Sequence, residues 1–160
     1  MKLIADRKIG KLIVDVANTG AFNISNDVRT IQNGTRKSHE VVRSIPDNCP
    51  YMPARFPAGL CNITGVEWQS EKKFDYRTYG PVKIRTDAWQ YVKIWELDKD
   101  GDYLRETEQS TKDNGYLLHY SESKATLGCI RIGTEAEAVN LGTLLETALK
   151  NKEPITLEVI

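Results

Sequence analysis

A histidine and a cysteine border two short apolar runs in the last third of the chain. His119 closes the run that starts at Tyr116, and Cys129 opens the run that ends at Ile132. A thiol has a pKa of about 8.5 and is mostly protonated at neutral pH, but a nearby imidazole can take its proton or stabilise the thiolate. If a strand–loop–strand arrangement brings the two side chains together, the pair has the chemistry of a cysteine nucleophile and its base in acyl transfer.

Each of these two residues also has a purely structural interpretation. A buried, unreactive thiol is the commonest state of a cysteine, and a histidine at a strand end is often held there by ordinary hydrogen bonds. The other histidine, His39, lies in a polar segment and is predicted to be a surface residue. The segment from His119 to Cys129 therefore decides between an enzyme and a non-catalytic protein.

Length and composition indicate a soluble globular protein in which residues 1–160 form one domain. Of the 160 residues, 40% are hydrophobic and 28% are charged. The 22 basic and 22 acidic residues cancel, so no nucleic-acid partner is predicted from charge. No apolar run reaches the roughly 20 residues of a membrane span, and the N-terminal residues lack the apolar core of a Sec export signal.

The three cysteines allow two interpretations. A Cys49–Cys61 disulfide with Cys129 left reduced would suit an oxidising compartment, and three buried thiols are equally consistent with the sequence. No pair of cysteines has the spacing of zinc ligands. The acidic segment 98–102 lacks the spacing of a calcium loop and is predicted to be a hairpin turn. Neither a metal nor an organic cofactor is predicted.

Alternating apolar residues predict a mainly β fold with one or two helices. Strands are predicted at 10–16, 60–68, 82–85, 89–97, 116–119 and 129–132, turns and short strands at 18–34, a short helix or loop at 36–44, and mostly non-helical chain at 46–59. The strand at 89–97 has apolar residues on both faces and is predicted to be covered on both. Core packing is predicted for four aromatic residues, with a substrate groove as the alternative: Trp68, Tyr79, Trp89 and Tyr91.

The strongest helical pattern lies near the C-terminus. Thr134 and Glu137 have the spacing of a capping box, and apolar residues then recur at helical intervals up to Leu149. Pro154 ends the predicted helix. A final strand is predicted from the alternation of Ile155, Leu157 and Val159.

The segment Thr126-Leu-Gly-Cys-Ile-Arg-Ile132, with His119 before it, resembles the catalytic motif of the L,D-transpeptidase domain, the YkuD-like family. Phe56-Pro-Ala-Gly59 is similar to the family's Pro-x-Gly turn, and Tyr79-Gly-Pro81 is similar to the segment before its active-site strands. The capped helix and the final strand resemble the end of the family's domain. The resemblance covers roughly residues 50–160 of the sequence.

The chain departs from the family pattern at two points. Leu127 stands where the family has a second histidine, and the spacer between His119 and Cys129 is shorter than usual. Such departures resemble short phage-encoded or toxin-like members of the family. The alternative function is a non-catalytic binding or structural module of a phage or secretion system. A third is a papain-like peptidase, in which the cysteine precedes the histidine in sequence.

The resemblance implies a β-sandwich or barrel with a C-terminal helix and a final strand, and it implies a role for each motif residue. Cys129 is the nucleophile and His119 is its base. The carbonyl of Tyr120 or the hydroxyl of Ser121 fixes the histidine tautomer, while backbone N–H groups around Gly128 and Cys129 form the oxyanion hole. Arg131 is expected to bind a carboxylate of the substrate. Thr126 is expected to bind substrate or to make hydrogen bonds within the loop.

The implied activity is acyl transfer on peptidoglycan stem peptides through a Cys129 thioester. An amine acceptor makes the protein an L,D-transpeptidase, water makes it an L,D-carboxypeptidase, and a free D-amino acid gives exchange. The implied partners are stem peptides and, for a toxin-like protein, a secretion system or an immunity protein. Because no export signal is recognised, the protein is expected to reach the periplasm or cell wall through a secretion system or phage lysis.

Overall fold

Ten strands are formed in the computed structural model, which describes residues 1–28, 55–97, 103–126 and 128–160. They are β1 (Lys2–Asp6), β2 (Lys11–Val14), β3 (Phe22–Ser25), β4 (Gly59–Trp68), β5 (Val82–Thr86), β6 (Gln90–Leu97), β7 (Tyr103–Asp113), β8 (Leu117–Tyr120), β9 (Ile130–Ile132) and β10 (Thr156–Val159). Eight of them close into a barrel in the order β1-β10-β4-β5-β8-β9-β3-β2. The β1–β10 and β8–β9 pairs are parallel, and the other neighbours are antiparallel.

The alternation of side chains orients the two strands that carry the motif. Leu118 of β8 and both isoleucines of β9, Ile130 and Ile132, are fully buried in the hydrophobic core. Because successive side chains of a strand point to opposite faces, His119 and Arg131 project from the outer face of the barrel. These two residues are in register across the parallel β8–β9 pair.

β6 and β7 form an antiparallel ribbon that is separate from the barrel sheet. Trp89, just before β6, is 45% exposed, and Tyr91 is 67% exposed. The prediction that this strand is covered on both faces is therefore wrong for these two residues, because β6 pairs with β7 alone. Trp68 is 42% exposed and Tyr79 is 3% exposed, so burial is confirmed only for Tyr79 among the four aromatic residues, and Tyr79 lies outside the core cluster.

Two helices complete the described structure. The single turn α1 (Tyr76–Tyr79) precedes β5 and contacts β8. The predicted C-terminal helix is confirmed as α2 (Glu135–Lys150), and Thr134 is its N-cap, since its hydroxyl accepts a hydrogen bond from the Glu137 nitrogen at 3.1 Å. The buried face of α2 joins the same core cluster as the barrel interior and consists of Ala138, Leu141, Leu145 and Ala148.

Replacing Leu145 with alanine is expected to destabilise the fold by about 2–5 kcal/mol, because the truncation leaves a cavity beside the barrel strands. Leu145 is fully buried. The measurement is the free energy of unfolding from urea titration at pH 7. Val139→Ala, on an exposed position of the same helix, is the control and should change that free energy by less than about 0.5 kcal/mol. Equal effects of the two substitutions would contradict this orientation of the helix.

The predicted fold class is confirmed: the described chain is mainly β, with a closed barrel and a C-terminal helix followed by a final strand. Seven predicted strands correspond to β2, β4, β5, β6, β8, β9 and β10, and β3 lies in the segment predicted to hold turns and short strands, whereas β1 and β7 were not predicted. Residues 36–44, most of 46–59 and the hairpin turn at 98–102 lie outside the described residues. Neither described helix has the length and apolar character needed to cross a membrane.

Candidate active site

Cys129 lies directly before β9 and beside the start of β8. Its sulfur is 3.4 Å from the Leu117 backbone nitrogen and 3.9 Å from the Gly115 carbonyl oxygen. Leu117 is two residues before His119 on the same strand. Cys129 is buried but lies outside the core cluster of the barrel. The thiol and the imidazole therefore belong to the outer side of two adjacent parallel strands.

The ring of His119 is fixed by a backbone carbonyl. Its Nδ1 atom is 2.9 Å from the Tyr120 carbonyl oxygen. Because a carbonyl can only accept, Nδ1 carries the proton in this hydrogen bond, and Nε2 is the acceptor of the neutral ring. Of the two groups predicted to fix the tautomer, the Tyr120 carbonyl makes the contact, whereas the Ser121 hydroxyl accepts from the Ser123 nitrogen at 3.2 Å.

Burial keeps His119 neutral. Its side chain is only 3% exposed, and this burial lowers the His119 pKa to about 4, although hydrogen bonds to the backbone of Tyr120 and of Thr78 favour the protonated ring. The positive charges of Lys83 and Arg131 lower the pKa further. At neutral pH the imidazole is therefore an unprotonated base, which is the form that can accept a proton from a thiol.

Tyr79 and Lys83 build the wall on the β5 side of His119. The Tyr79 ring packs edge to face against the imidazole, with ring centroids 4.9 Å apart. Lys83 is in register with His119 across the β5–β8 pair, and its Nζ atom lies 4.2 Å from the centre of the Tyr79 ring and 3.2 Å from an Asp75 carboxylate oxygen. This arrangement holds the imidazole in one orientation.

Gly80 allows the chain to pass close to Tyr120. Its φ angle is +68°, and a Cβ atom built on it would lie 2.9 Å from the Tyr120 Cβ atom and 3.3 Å from the Tyr120 carbonyl oxygen. A side chain here would therefore collide with the residue whose carbonyl fixes His119. Gly80 belongs to the segment Tyr79-Gly-Pro81, which was singled out in the sequence, and this segment supports the candidate site because its backbone packs closely against Tyr120.

Gly80→Ala is expected to destabilise the protein by about 1–3 kcal/mol, because the added methyl group strains the backbone and displaces Tyr120. Urea unfolding measures this loss, and the His119 Nδ1 proton resonance in NMR reports whether the hydrogen bond to the carbonyl persists. The matched control is Gly20→Ala, where a Cβ atom would meet no atom within 4 Å. Unchanged unfolding and an unchanged Nδ1 resonance in Gly80→Ala would refute this role.

Thr126 holds the turn that precedes the cysteine. Its hydroxyl donates to the Cys129 carbonyl at 2.6 Å and accepts from the Gly128 nitrogen at 3.2 Å. Its own nitrogen donates to the Asp27 carbonyl at 2.9 Å. Gly128 has a φ angle of +124°, a conformation that residues other than glycine rarely adopt. Thr126 therefore makes the predicted loop hydrogen bonds, and its assignment to substrate binding stays a prediction.

The structure adds Asn26, which the sequence did not identify. Its side-chain nitrogen donates to the carbonyl oxygens of Gly128 and Cys129, at 2.9 and 3.0 Å. Arg7 donates to the Asn26 side-chain oxygen at 3.3 Å. Both residues precede the region that resembles the L,D-transpeptidase domain. Asn26 lies in a segment rich in asparagine and threonine, and no local pattern distinguishes it from its neighbours.

Arg131 lies on the β9 side of His119, opposite Lys83 on β5. Its Nε atom donates to the Ser121 carbonyl at 2.9 Å, and its guanidinium lies 5.1 Å from the centre of the Tyr120 ring. These contacts brace the end of β8, where the Tyr120 carbonyl that binds His119 lies, and the residue that follows it. The predicted contact between Arg131 and a substrate carboxylate stays a prediction.

The other described cysteine has a different environment. Cys61 on β4 is a thiol, and burial together with the charge of Asp87 raises its pKa to about 11. Cys49 lies outside the described residues, and the free thiol of Cys61 agrees with the alternative of three thiols rather than with a Cys49–Cys61 disulfide. Within the described ranges no group of three or more His, Cys, Asp or Glu side chains is arranged to hold a metal ion.

No family model, curated protein or solved structure matches this chain. The site is therefore defined by its geometry: a thiol and a neutral, carbonyl-bound imidazole on the outer face of a closed barrel. The expected resemblance to the L,D-transpeptidase domain rests on the sequence motif around these two residues and stays a prediction.

Proposed function

We propose that this protein is a cysteine acyl-transfer enzyme of the L,D-transpeptidase type that acts on peptidoglycan stem peptides. The observation that carries the proposal is the neutral His119 imidazole, whose Nδ1 atom is bonded to the Tyr120 carbonyl on the strand beside the Cys129 sulfur. A nucleophile, a base and a group that orients the base are the three parts that this chemistry requires. The motif Thr126-Leu-Gly-Cys-Ile-Arg-Ile132 supplies the substrate class.

In the proposed first half-reaction, the Cys129 S–H bond breaks and its proton passes to Nε2 of His119. The sulfur forms a bond to the carbonyl carbon of the third stem residue, and the Leu117 N–H supports the negative charge on the sulfur before attack. The donor that we propose for the developing oxyanion is the Cys129 N–H, which belongs to the peptide after Gly128.

Collapse of the tetrahedral intermediate breaks the bond to D-alanine, and His119 returns its proton to the leaving amine. A low pKa suits this second task, since a buried imidazolium gives up its proton readily. The thioester is then attacked by an amine, by water or by a free D-amino acid, and the acceptor sets the product. In this second half-reaction His119 accepts a proton from the acceptor, the bond between the acyl carbon and sulfur breaks, and the proton passes to the sulfur, which regenerates the Cys129 thiol.

The proposed biological setting follows from the substrate. Stem peptides lie outside the cytoplasm, so the enzyme acts in the periplasm or cell wall after delivery by a secretion system or release at phage lysis. A toxin delivered in this way requires an immunity protein in the producing cell. This setting is tested by expressing the protein either in the periplasm or in the cytoplasm of a bacterium. We expect the cells to lose integrity only when the protein is in the periplasm.

The proposal is tested by incubating the protein with tetrapeptide muropeptides, followed by mass analysis. We expect loss of one alanine or, when a labelled D-amino acid is added, its incorporation at the fourth position. The Cys129→Ala protein is the negative control. Absence of product with every acceptor, together with no labelling of Cys129 by thiol reagents at neutral pH, would refute the enzyme.

A second candidate function is a non-catalytic binding or structural module of a phage or secretion system. The observation that favours it is the low exposure of both side chains, which is 3% for Cys129 and 3% for His119. Leu127, at the position of the family's second histidine, points the same way. Binding of muropeptides without turnover, unaffected by Cys129→Ala, is the result that this alternative predicts.

A further inference from the structure

We propose that Asn26 is a positioning residue that aims the Cys129 N–H at the oxyanion, an inference that rests on the proposed acyl-transfer function. Asn26 is 8% exposed and lies after β3, in the part of the chain that carries no resemblance to the L,D-transpeptidase domain. Its side-chain amide donates to two successive carbonyls, those of Gly128 and Cys129. The N-terminal region is therefore a working part of the site.

The orientation of the Asn26 amide is determined from both sides. Arg7 can only donate, so the Asn26 atom 3.3 Å from its Nη1 must be the oxygen. The carbonyls of Gly128 and Cys129 can only accept, so the atom facing them must be the nitrogen. Arg7 is itself fixed, because its guanidinium donates to the carbonyls of Phe56 at 2.8 Å and Ile160 at 3.2 Å.

Fixing the Gly128 carbonyl also fixes the Cys129 N–H. The two groups belong to one planar trans peptide, in which C=O and N–H point in opposite directions. A hydrogen bond that holds the carbonyl on the Asn26 side therefore holds the N–H on the opposite side. This N–H is the one assigned to the oxyanion in the proposed reaction.

This peptide needs such a restraint because it follows a glycine. Gly128 has no Cβ atom and already adopts a φ angle of +124°, so steric exclusion does little to prevent rotation of the Gly128–Cys129 peptide. Rotation would exchange the positions of the carbonyl and the N–H and would present an oxygen to the oxyanion. Thr126 bonds to the Gly128 nitrogen and the Cys129 carbonyl, on either side of this peptide. Asn26 is the side chain seen to bond the Gly128 carbonyl itself.

Comparing two reactions of the Cys129 sulfur distinguishes a role of Asn26 in positioning the oxyanion donor from a general role in stabilising the fold. Alkylation by iodoacetamide needs the thiolate but forms no oxyanion, whereas acylation by a tetrapeptide muropeptide needs both. In Asn26→Ala we expect the acylation rate to fall by about 10²–10³-fold, as for loss of one oxyanion donor. The alkylation rate at Cys129 should remain within about twofold of the wild-type rate, since the thiol and His119 are untouched.

Asn23→Ala is the matched control, because Asn23 lies on β3 near Asn26 but its side chain bonds to Lys11 and Glu137. Asn26→Ser retains one donor in a smaller side chain and should lose less acylation than Asn26→Ala, and it serves as the test if the alanine variant fails to fold. Equal loss of acylation and alkylation, or no loss of either, would overturn the role of Asn26. Alkylation of the wild-type protein without any acylation would overturn the proposed function and this role with it.

Discussion

Replacing Cys129 with alanine will reduce the release of D-alanine from a tetrapeptide muropeptide by at least about 10³-fold. The proposed thioester needs the Cys129 sulfur, which lies beside the strand that carries His119. Mass analysis of the released amino acid measures the rate. The intact mass of the wild-type protein, quenched during turnover, should show the acyl group as an addition that the alanine variant lacks.

Cys61→Ala provides the matched control for loss of a thiol. Cys61 lies on β4, which β5 separates from β8 in the barrel, and its pKa is raised to about 11 by burial and Asp87. It should therefore be protonated and unreactive at neutral pH, and its replacement should leave turnover unchanged. Peptide mapping after iodoacetamide treatment should find Cys129 labelled in preference to Cys61. Full turnover in Cys129→Ala would show that the sulfur is not the nucleophile.

His119→Asn will slow turnover by about 10²–10⁴-fold, the range typical of a lost general base. The asparagine Nδ2 atom takes the place of the histidine Nδ1 atom and can still donate to the Tyr120 carbonyl, whereas no atom replaces Nε2. The substitution therefore removes the base while keeping the anchoring hydrogen bond. Steady-state kinetics of D-alanine release compare the two proteins, and a variant with wild-type kcat would exclude His119 as the base.

The pH profile of the proposed activity of the wild-type protein is a sharper test of the same residue. Burial lowers the His119 pKa to about 4, so the base stays neutral throughout the mildly acidic range. The acid limb of kcat/KM, which reports the free enzyme, should therefore fall near pH 4. A limb near the ordinary histidine value of about 6.5 would contradict the burial of the ring.

The same pKa also makes the stability depend on pH. Between about pH 6.5 and pH 4 the unfolded chain binds a proton at His119 that the folded chain does not. Stability from this residue is therefore fully present above pH 6.5 and is lost progressively as the pH falls to about 4, by about 3 kcal/mol in total. Urea unfolding across this range should show a steeper loss for the wild type than for His119→Asn. His39→Asn serves as the control for the other histidine.

The sequence predicted those parts of the fold that rest on local patterns. Thr134 and Glu137 mark the start of α2 because a capping box is made by residues three positions apart. Leu157 and Val159 predict β10 because alternation reflects one buried face. The polar strand β7 has no such alternation. β1 also has no such alternation, because Leu3, Ile4 and Ala5 are consecutive apolar residues.

The site was predicted in part for the same reason. His119, Cys129 and the Tyr120 carbonyl lie within one short segment, whose order in sequence resembles a known motif. Asn26 bonds to the Cys129 carbonyl although the two residues are 103 positions apart in sequence. The residues that flank Asn26 in sequence give no pattern that predicts this contact. A side-chain amide that bonds to distant backbone carbonyls becomes recognisable only when the barrel order is known.

The pairing of β1 with β10 has a consequence for folding during synthesis on the ribosome. The ring of strands stays open until residues 156–159 have been synthesised. Arg7, the anchor of Asn26, also bonds to the Ile160 backbone. A nascent chain that already contains Cys129 therefore lacks this anchor of Asn26, and the restraint on the Gly128–Cys129 peptide is complete only when the closing strand has formed.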